Sequence, residues 1–472
     1  MSKDNKEFQG NLNEADLNIL KRLERLPFGR PHFKLLFMGG LGYTFDGMDL
    51  ALIAFILSPV IALWHLTNQQ TGLLGSSAML GYLFGAFSAG TLGDLIGRRK
   101  IMMYALAIYA IASIFAALSP NWYFLFWSRV AASFGTGAES AIIAPFLSEF
   151  VQSKFRGRFI GSLAGFFSFG FLFAAILGYM IVPSHSEGWR IVQLISALPI
   201  LMLLWWRRAL PESPRWLLQR GRSAEAEKIV AKMEESLIKQ GKTLPSFEDV
   251  KMPSFIGQKG TFIKNLASLW AGGVARTTLM LWVLWFSITF AYYGFFVWIP
   301  TLLVKSGMTI TKSFGYSILI YLAQIPGYYS AAFISEKFDR KWTIVLYMLL
   351  GGVSAYCLSI SRSDNLIVLF GFCLSFFMNG TYAGIYTYTP ELYPTSFRTT
   401  GMGVASSIGR IGGLLAPIII GFTYSKIGFS GVFNITTLVL IIGALFVIVF
   451  GVGTKGKSLE QISFEELGSN KK

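Results

Sequence analysis

Gly90-Thr91-Leu92-Gly93-Asp94-Leu95-Ile96-Gly97-Arg98-Arg99-Lys100 is a short charged connection between two apolar stretches, near 70–92 and 101–118. A hydrocarbon core of ~30 Å takes about 20 apolar residues per helical crossing, and a helix satisfies its own backbone groups on the way through. Working outward, the same alternation fills the chain. Apolar stretches lie near 33–64, 70–92, 101–118, 122–148, 158–182, 189–208, 274–304, 314–335, 342–361, 365–389, 400–424 and 430–452. The reading is an all-α membrane protein of about twelve transmembrane helices in two six-helix halves.

Composition agrees. The 472 residues are 53% hydrophobic and only 14% charged, against about 25% charged in soluble domains. The net charge of +16 is spread over loops next to apolar spans, where anionic headgroups are the natural partner, so the charge argues for a bilayer and against nucleic acid. Cys357 and Cys373 fall inside spans and read as small buried residues rather than a disulfide framework. Three histidines, no P-loop, no metal-spaced cluster and no nucleophile elbow leave no catalytic residues, no metal and no cofactor, and exclude an enzyme.

Basic residues orient the chain, because Lys and Arg collect in short cytoplasmic loops. Lys21, Arg22, Arg25, Arg30 and Lys34 precede the first span, Arg98 to Lys100 follow the second, Lys154, Arg156 and Arg158 the fourth, and Lys337, Arg340 and Lys341 the eighth. The stretch 1–32 is polar without a signal-type apolar run, so the first span is its own insertion signal. Both termini are expected in the cytoplasm, in an inner (cytoplasmic) or plasma membrane. The expected divisions are a cytoplasmic segment 1–32, a six-helix half 33–208, a cytoplasmic linker with short helices 209–273, a second six-helix half 274–452 and a cytoplasmic tail 453–472.

The two halves repeat. Asp94 and Glu149 stand 55 positions apart (149 − 94), as do Glu336 and Glu391 (391 − 336), and Arg156 and Arg398 each follow their glutamate by the same interval. Arg98 and Arg99 correspond to Arg340 and Lys341. Parallel halves of this kind place a substrate site between them near mid-membrane.

Gly90 to Lys100 resembles the cytoplasmic signature of the major facilitator superfamily, with Leu95 where a basic residue commonly follows the aspartate and, in the second copy, Asp339 in place of Gly97. Arg129 with Gly135 and Gly137, and Leu210 to Trp216, resemble further motifs of that superfamily and of its sugar-porter branch. The span 5 and span 7 glutamines that hold sugar hydroxyls in sugar porters are missing here. The second half resembles bacterial niacin transporters related to synaptic-vesicle glycoproteins, through Leu281 to Ser287, Ala291 to Gly294, Leu322 to Tyr328, Tyr388 to Glu391 and Gly409 to Gly413. The resemblance implies a secondary transporter working by rocking alternating access. It also implies a latch of loop charges that opens as the halves move, drawn from Asp94, Arg98, Arg129, Glu149, Arg156, Glu336, Arg340, Glu391 and Arg398.

Ionisable residues at membrane depth cost ~2.5–3.5 kcal/mol to insert, so each is a functional candidate. Asp46 and Asp49 share a helix face, and two close carboxylates resist ionising together, which suits a proton carrier; capping a break at Gly47 or pairing with an arginine are the structural alternatives. Glu139 is either a further proton site or a partner for Arg129, about 15 Å away along the same helix. Arg410 offers a guanidinium that clasps a carboxylate through two hydrogen bonds, or else a fixed partner for Asp46 or Asp49. Tyr292, Tyr293, Trp298, Tyr382 and Tyr386 provide ring faces, and Gln324 and Asn379 hydrogen bonds, for an aromatic substrate.

The expectation is proton-coupled symport of a small organic anion, nicotinate or a similar aromatic monocarboxylate, by a monomer with protons as coupling ion. A carrier of organic cations or neutral, sugar-like solutes is the first alternative. A ligand-binding membrane protein that does not transport is the second.

Overall fold

The computed structural model describes residues 14–246, 262–394 and 397–455. Some side chains within its helices, those of Asp94 and Glu336 among them, lie outside the described residues, as do 1–13, 247–261 and 456–472 of the expected N-terminal segment, linker and tail. Among the described residues all regular structure is helical.

An amphipathic α1 (Glu14–Glu24) precedes α2 (Arg30–Trp64), α3 (Asn68–Ile96), α4 (Arg98–Ala117), α5 (Trp122–Ser148) and α6 (Ser153–Ile181). Each follows an expected span closely because the ends carry local stop and start signals. Pro31 stands in the first turn of α2, His65 takes a left-handed conformation (φ 49°) past its end, and Asn121 caps α5 by accepting from Phe124 N at 2.9 Å. The sixth span, expected unbroken over 189–208, is two helices instead, α7 (Gly188–Ser196) and α8 (Ile200–Ala209). Pro199 separates them, having no N–H to return to Ile195.

Two short helices follow, α9 (Pro214–Gln219) and α10 (Ser223–Ile238), then α11 (Phe262–Ser268). The second half comprises α12 (Val274–Lys305), α13 (Ile310–Leu322), α14 (Gln324–Lys337), α15 (Arg340–Ile360), α16 (Asp364–Leu392) and α17 (Arg398–Phe450). The eighth span breaks at Ala323, three residues before Pro326, whose ring removes the bond to Leu322. α17 holds the eleventh and twelfth spans, and the chain reverses at Gly428 (φ 60°, ψ −165°). Among the described residues ten helices or helix pairs are long and apolar enough to cross a membrane; α17 supplies two crossings and α7–α8 another, which gives about twelve.

The repeat is visible in three dimensions. Arg98, starting α4, pairs with Glu149 after α5, and 242 positions on Arg340, starting α15, pairs with Glu391 of α16 at 2.6 Å. Arg156 donates to Val151 O (3.3 Å) and Arg398 to Tyr393 O (3.1 Å), again 242 apart. Where the copies differ, Asp339 caps α15 by accepting from Lys341 N (2.7 Å), while Gly97 adopts φ 108°, a conformation costly for any other residue.

On the basic end, α1 is clasped to α10 and α9: Glu234 of α10 accepts from Arg22 (2.6 Å) and Arg25 (2.7 Å), and Glu24 accepts from Arg215 of α9 (3.1 Å). Burial raises the Glu234 carboxyl, but the two arginines more than offset this and hold it below its ordinary value.

The halves meet mainly at the end opposite the basic loops. Ser58 of α2 donates to Thr301 of α12 (3.2 Å), Lys305 to Asn68 Oδ1 (2.5 Å), and Phe55 packs edge-on against Phe314 (5.1 Å). Gly72 of α3 and Gly421 of α17 bring two backbones together: a Cβ at Gly421 would stand 2.6 Å from Asn68 O and 2.8 Å from Gly72 Cα. Toward the basic end the interior stays open, leaving Tyr386 and Tyr329 45% and 53% exposed on helices that face the other half. The structure is a cleft sealed at one end.

Gly421→Leu therefore destabilises the sealed arrangement by about 2 kcal/mol, a ~30-fold shift in population. Spin labels at the start of α3 and near the Gly428 reversal of α17 should report lengthened distances, whereas an unchanged distribution would refute this packing.

Candidate functional site

Arg410 owes its position to glycines. Side chains at Gly409, Gly412 and Gly413 would collide with Trp285, Phe286 and Tyr293 of α12, so α17 lies flush on α12 there. Arg410 then faces the cleft, half-buried, with its guanidinium carbon 4.9 Å above the ring of Tyr82 on the opposite half. Among the described residues no carboxylate lies within ion-pair distance of it; the fixed partnership with Asp46 or Asp49 is not formed.

Tyrosines surround it. Tyr292, Tyr293 and Tyr382 form a cluster with ring centroids 5.1–5.2 Å apart, and Tyr382 lies parallel to Tyr386 at 6.3 Å. Tyr382 donates to Thr289 (2.9 Å) and Tyr292 to Gln324 Oε1 (3.1 Å), while Gln324 Nε2 is buried without a partner. Asn379 is buried and donates to Ser375 O (3.1 Å). Trp298, expected beside these rings, stands apart from them: it is fully buried nearer the sealed end, stacked on Tyr424 at 6.3 Å with Lys305 beside both rings. Five to six residues beyond Tyr292 and Tyr293 carry it about 8 Å along α12, away from the cleft.

Asp46, Asp49, Arg129 and Glu139, the ionisable groups the first half brings to membrane depth, separate into two environments. Asp49 is enclosed: Arg129 donates to its Oδ1 (2.5 Å) and its backbone O (2.6 Å), and Ser133 (2.7 Å) and Thr136 (3.4 Å) donate to Oδ2. Both charged residues are fully buried. Asp46, one turn earlier on α2, has Glu139 and Asp49 as its charged neighbours, and a side chain at Gly42 would collide with Glu139 Oε1, which places Glu139 against the same face of α2. Asp46 Oδ2 and Glu139 Oε1 are buried with no hydrogen-bond partner. The two carboxyls are neighbours, and among the described residues no cation pairs with either.

Arg129 thus leaves the set expected at the loops. It sits seven residues into α5 from the non-basic end, ~30 Å from Glu149 at the other end of that helix, and its charge is spent on Asp49. The loop charges, for their part, tie helices within one half: Arg98–Glu149 and Arg340–Glu391 each join neighbours in the same bundle, Ser213 donates to Glu149, and Arg156 lies 3.9 Å from Glu24. Asp94 and Glu336 are outside the described side chains.

The family described as sugar (and other) transporter matches residues 32–465. This chain belongs to that family. It is 37% identical to the niacin transporter NiaP of Acinetobacter baylyi over 449 residues, covering 94% of this chain and all of that protein. NiaP of Bacillus subtilis is 34% identical, over 90% of this chain and 98% of its own length. Among solved structures, the xylose transporter XylE of E. coli in a partially occluded inward open conformation superposes with a TM-score of 0.74, at 18% identity, over 90% of this chain and 99% of that one. The fold is the major facilitator fold, and the protein is a multi-pass membrane transporter rather than an enzyme.

Sequence reasoning missed several residues at this transporter's centre. Tyr82, Trp285 and Thr289 join the expected ones only through contacts between helices, and Ser140 touches them at one remove, through Tyr82, with Tyr43 bonded to Ser140 in turn. Nothing in a local pattern separates a cleft-facing tyrosine from a lipid-facing one.

The two environments predict different costs. Asp49→Asn strands the Arg129 guanidinium in the bundle and should destabilise the transporter by about 3–5 kcal/mol, seen as a large fall in Tm in detergent. Asp46→Asn should shift it by less than about 1 kcal/mol, because it leaves no charge unpaired. Equal losses would contradict the assignment.

Proposed function

We propose that this transporter carries a small organic anion, nicotinate or a similar aromatic monocarboxylate, into the cell together with protons. The observation that supports the reading is Arg410, a half-buried guanidinium in the cleft with no carboxylate partner among the described residues and rings of Tyr82, Tyr382 and Tyr386 about it. A planar carboxylate meets such a group through two parallel charged hydrogen bonds, and the tyrosines offer flat faces to an attached aromatic ring. The relatives named for niacin transport are consistent with an aromatic acid of this size.

Asp46 and Glu139 supply the proton side. Two buried carboxyls without a cation are neutralised by protons far more cheaply than they are held as anions. Asp49 is a poorer carrier, because Arg129, Ser133 and Thr136 satisfy its charge. An anion entering with a proton crosses without net charge. With the basic loops in the cytoplasm, as the distribution of Lys and Arg favours, the cleft is open inward and both termini are cytoplasmic, in an inner or plasma membrane. Rocking of the halves about the sealed contacts then opens the other side. No cofactor beyond the proton is needed, and one chain is sufficient.

A second reading has an observation behind it: the unpartnered Asp46 and Glu139 could hold an organic cation directly. Uptake into proteoliposomes separates the two. Nicotinate should accumulate under an inward proton gradient, Arg410→Ala should reduce uptake at least about 100-fold, and Asp46→Asn should abolish the response to the gradient. Retained transport of a cation by the Arg410→Ala protein, with no nicotinate uptake by the unmodified one, would favour the second reading.

A further inference from the structure

The arginine and the acid pair belong to different halves, so symport requires a physical connection between them. Tyr82 stands between. Its ring lies under the Arg410 guanidinium at 4.9 Å, and its hydroxyl donates to Ser140 Oγ at 2.5 Å, a buried bond. Arg410 and Asp46 are the charged groups near Tyr82. Ser140 follows Glu139 in α5, and its carbonyl accepts from Tyr43 (3.4 Å), which is next to Gly42 and three residues from Asp46 on α2. Gly137, whose Cβ would stand 2.3 Å from Tyr82 O, presses α5 against α3 and fixes the tyrosine in register with Ser140. Among the described residues the Ser140 hydroxyl has no acceptor for its own proton, while Asp46 Oδ2 and Glu139 Oε1 are acceptors with no donor.

We propose that Tyr82 and Ser140 are positioning residues that transmit occupation of Arg410 to the protonation of the Asp46–Glu139 pair. This rests on the anion-symport reading. A cation above a phenol ring draws electron density from it and strengthens its O–H as a donor. With the cleft empty, Arg410 holds Tyr82 on Ser140. A carboxylate that clasps the guanidinium neutralises it and draws it off the ring, which weakens the Tyr82–Ser140 bond and frees the serine Oγ to accept from a protonated carboxyl of the pair, a bond that favours the neutral form. The two sites then favour each other's occupied state, and by reciprocity protonation of the pair favours the anion.

The test compares two activities of purified protein in proteoliposomes: exchange of nicotinate at equal pH on both sides, which needs no net proton movement, and accumulation driven by an inward proton gradient. Ser140→Ala should keep exchange within about twofold yet reduce accumulation about tenfold, and Ser140→Thr, which retains a hydroxyl, should restore it. Tyr82→Phe, keeping the ring but losing the donor, should also flatten the pH dependence of nicotinate affinity across the titration of Asp46 and Glu139. Loss of both activities in proportion, or of neither, overturns the link while leaving symport intact. Unmodified protein that exchanges nicotinate but ignores the gradient overturns the symport reading and the link with it.

Discussion

A bare charge inside a bilayer is tolerated only when paired, neutralised or in water, and the Arg129–Asp49 pair meets that constraint for the first half. Arg129 is fully buried, and two of its nitrogens are satisfied by one residue, through a carboxylate oxygen and a backbone carbonyl. That pairing fixes α2 against α5 near mid-depth. It also decides what the remaining ionisable groups are available for. With Asp49 committed to Arg129, Asp46 and Glu139 are left facing each other, and Arg410 is left facing the cleft without an acid of its own.

The second constraint is the geometry of two bundles that, in the proposed alternating access, separate and reunite. Glycine against glycine at Gly72 and Gly421 allows backbone contact where the cleft is sealed. Side chains there would hold the bundles apart. Loop charges act within each half, which holds each bundle together as one body, and α1 with α9 and α10 extends the first body past the basic ends of its spans through Glu24 and Glu234. In that proposal motion is confined to the interface between the halves, where the aromatic cluster and Arg410 lie.

Coupling follows from distribution. In the proposed symport the substrate group is on the second half and the proton groups on the first, so an interaction that crosses the cleft must relate them. Arg410 over Tyr82 is such an interaction at mid-depth, and it is weak enough to yield to a carboxylate: a cation over a ring gives about 0.5–2 kcal/mol, against ~1.5–3 kcal/mol for each hydrogen bond between charged groups.

The sequence by itself determined the membrane class, the crossings, the duplication and the set of charges that demand explanation. Hydrophobic length and basic loops are local properties, so they survive without any knowledge of packing, and the 242-residue offset later reappeared as two matched ion pairs, Arg98–Glu149 and Arg340–Glu391. Even the breaks at Pro199 and Pro326 were written locally, though an apolar pattern runs straight through them. Tertiary structure alone decided which charge meets which. Arg129 looks like one more arginine near a glycine motif until α2 is laid against α5; Trp298 looks like one more aromatic of span 7 until its depth sets it beside Tyr424; Tyr82 and Ser140 carry no local mark at all. Partners in a helical bundle are chosen by rotation and depth, and a one-dimensional pattern encodes each helix's own faces but not the face it will meet.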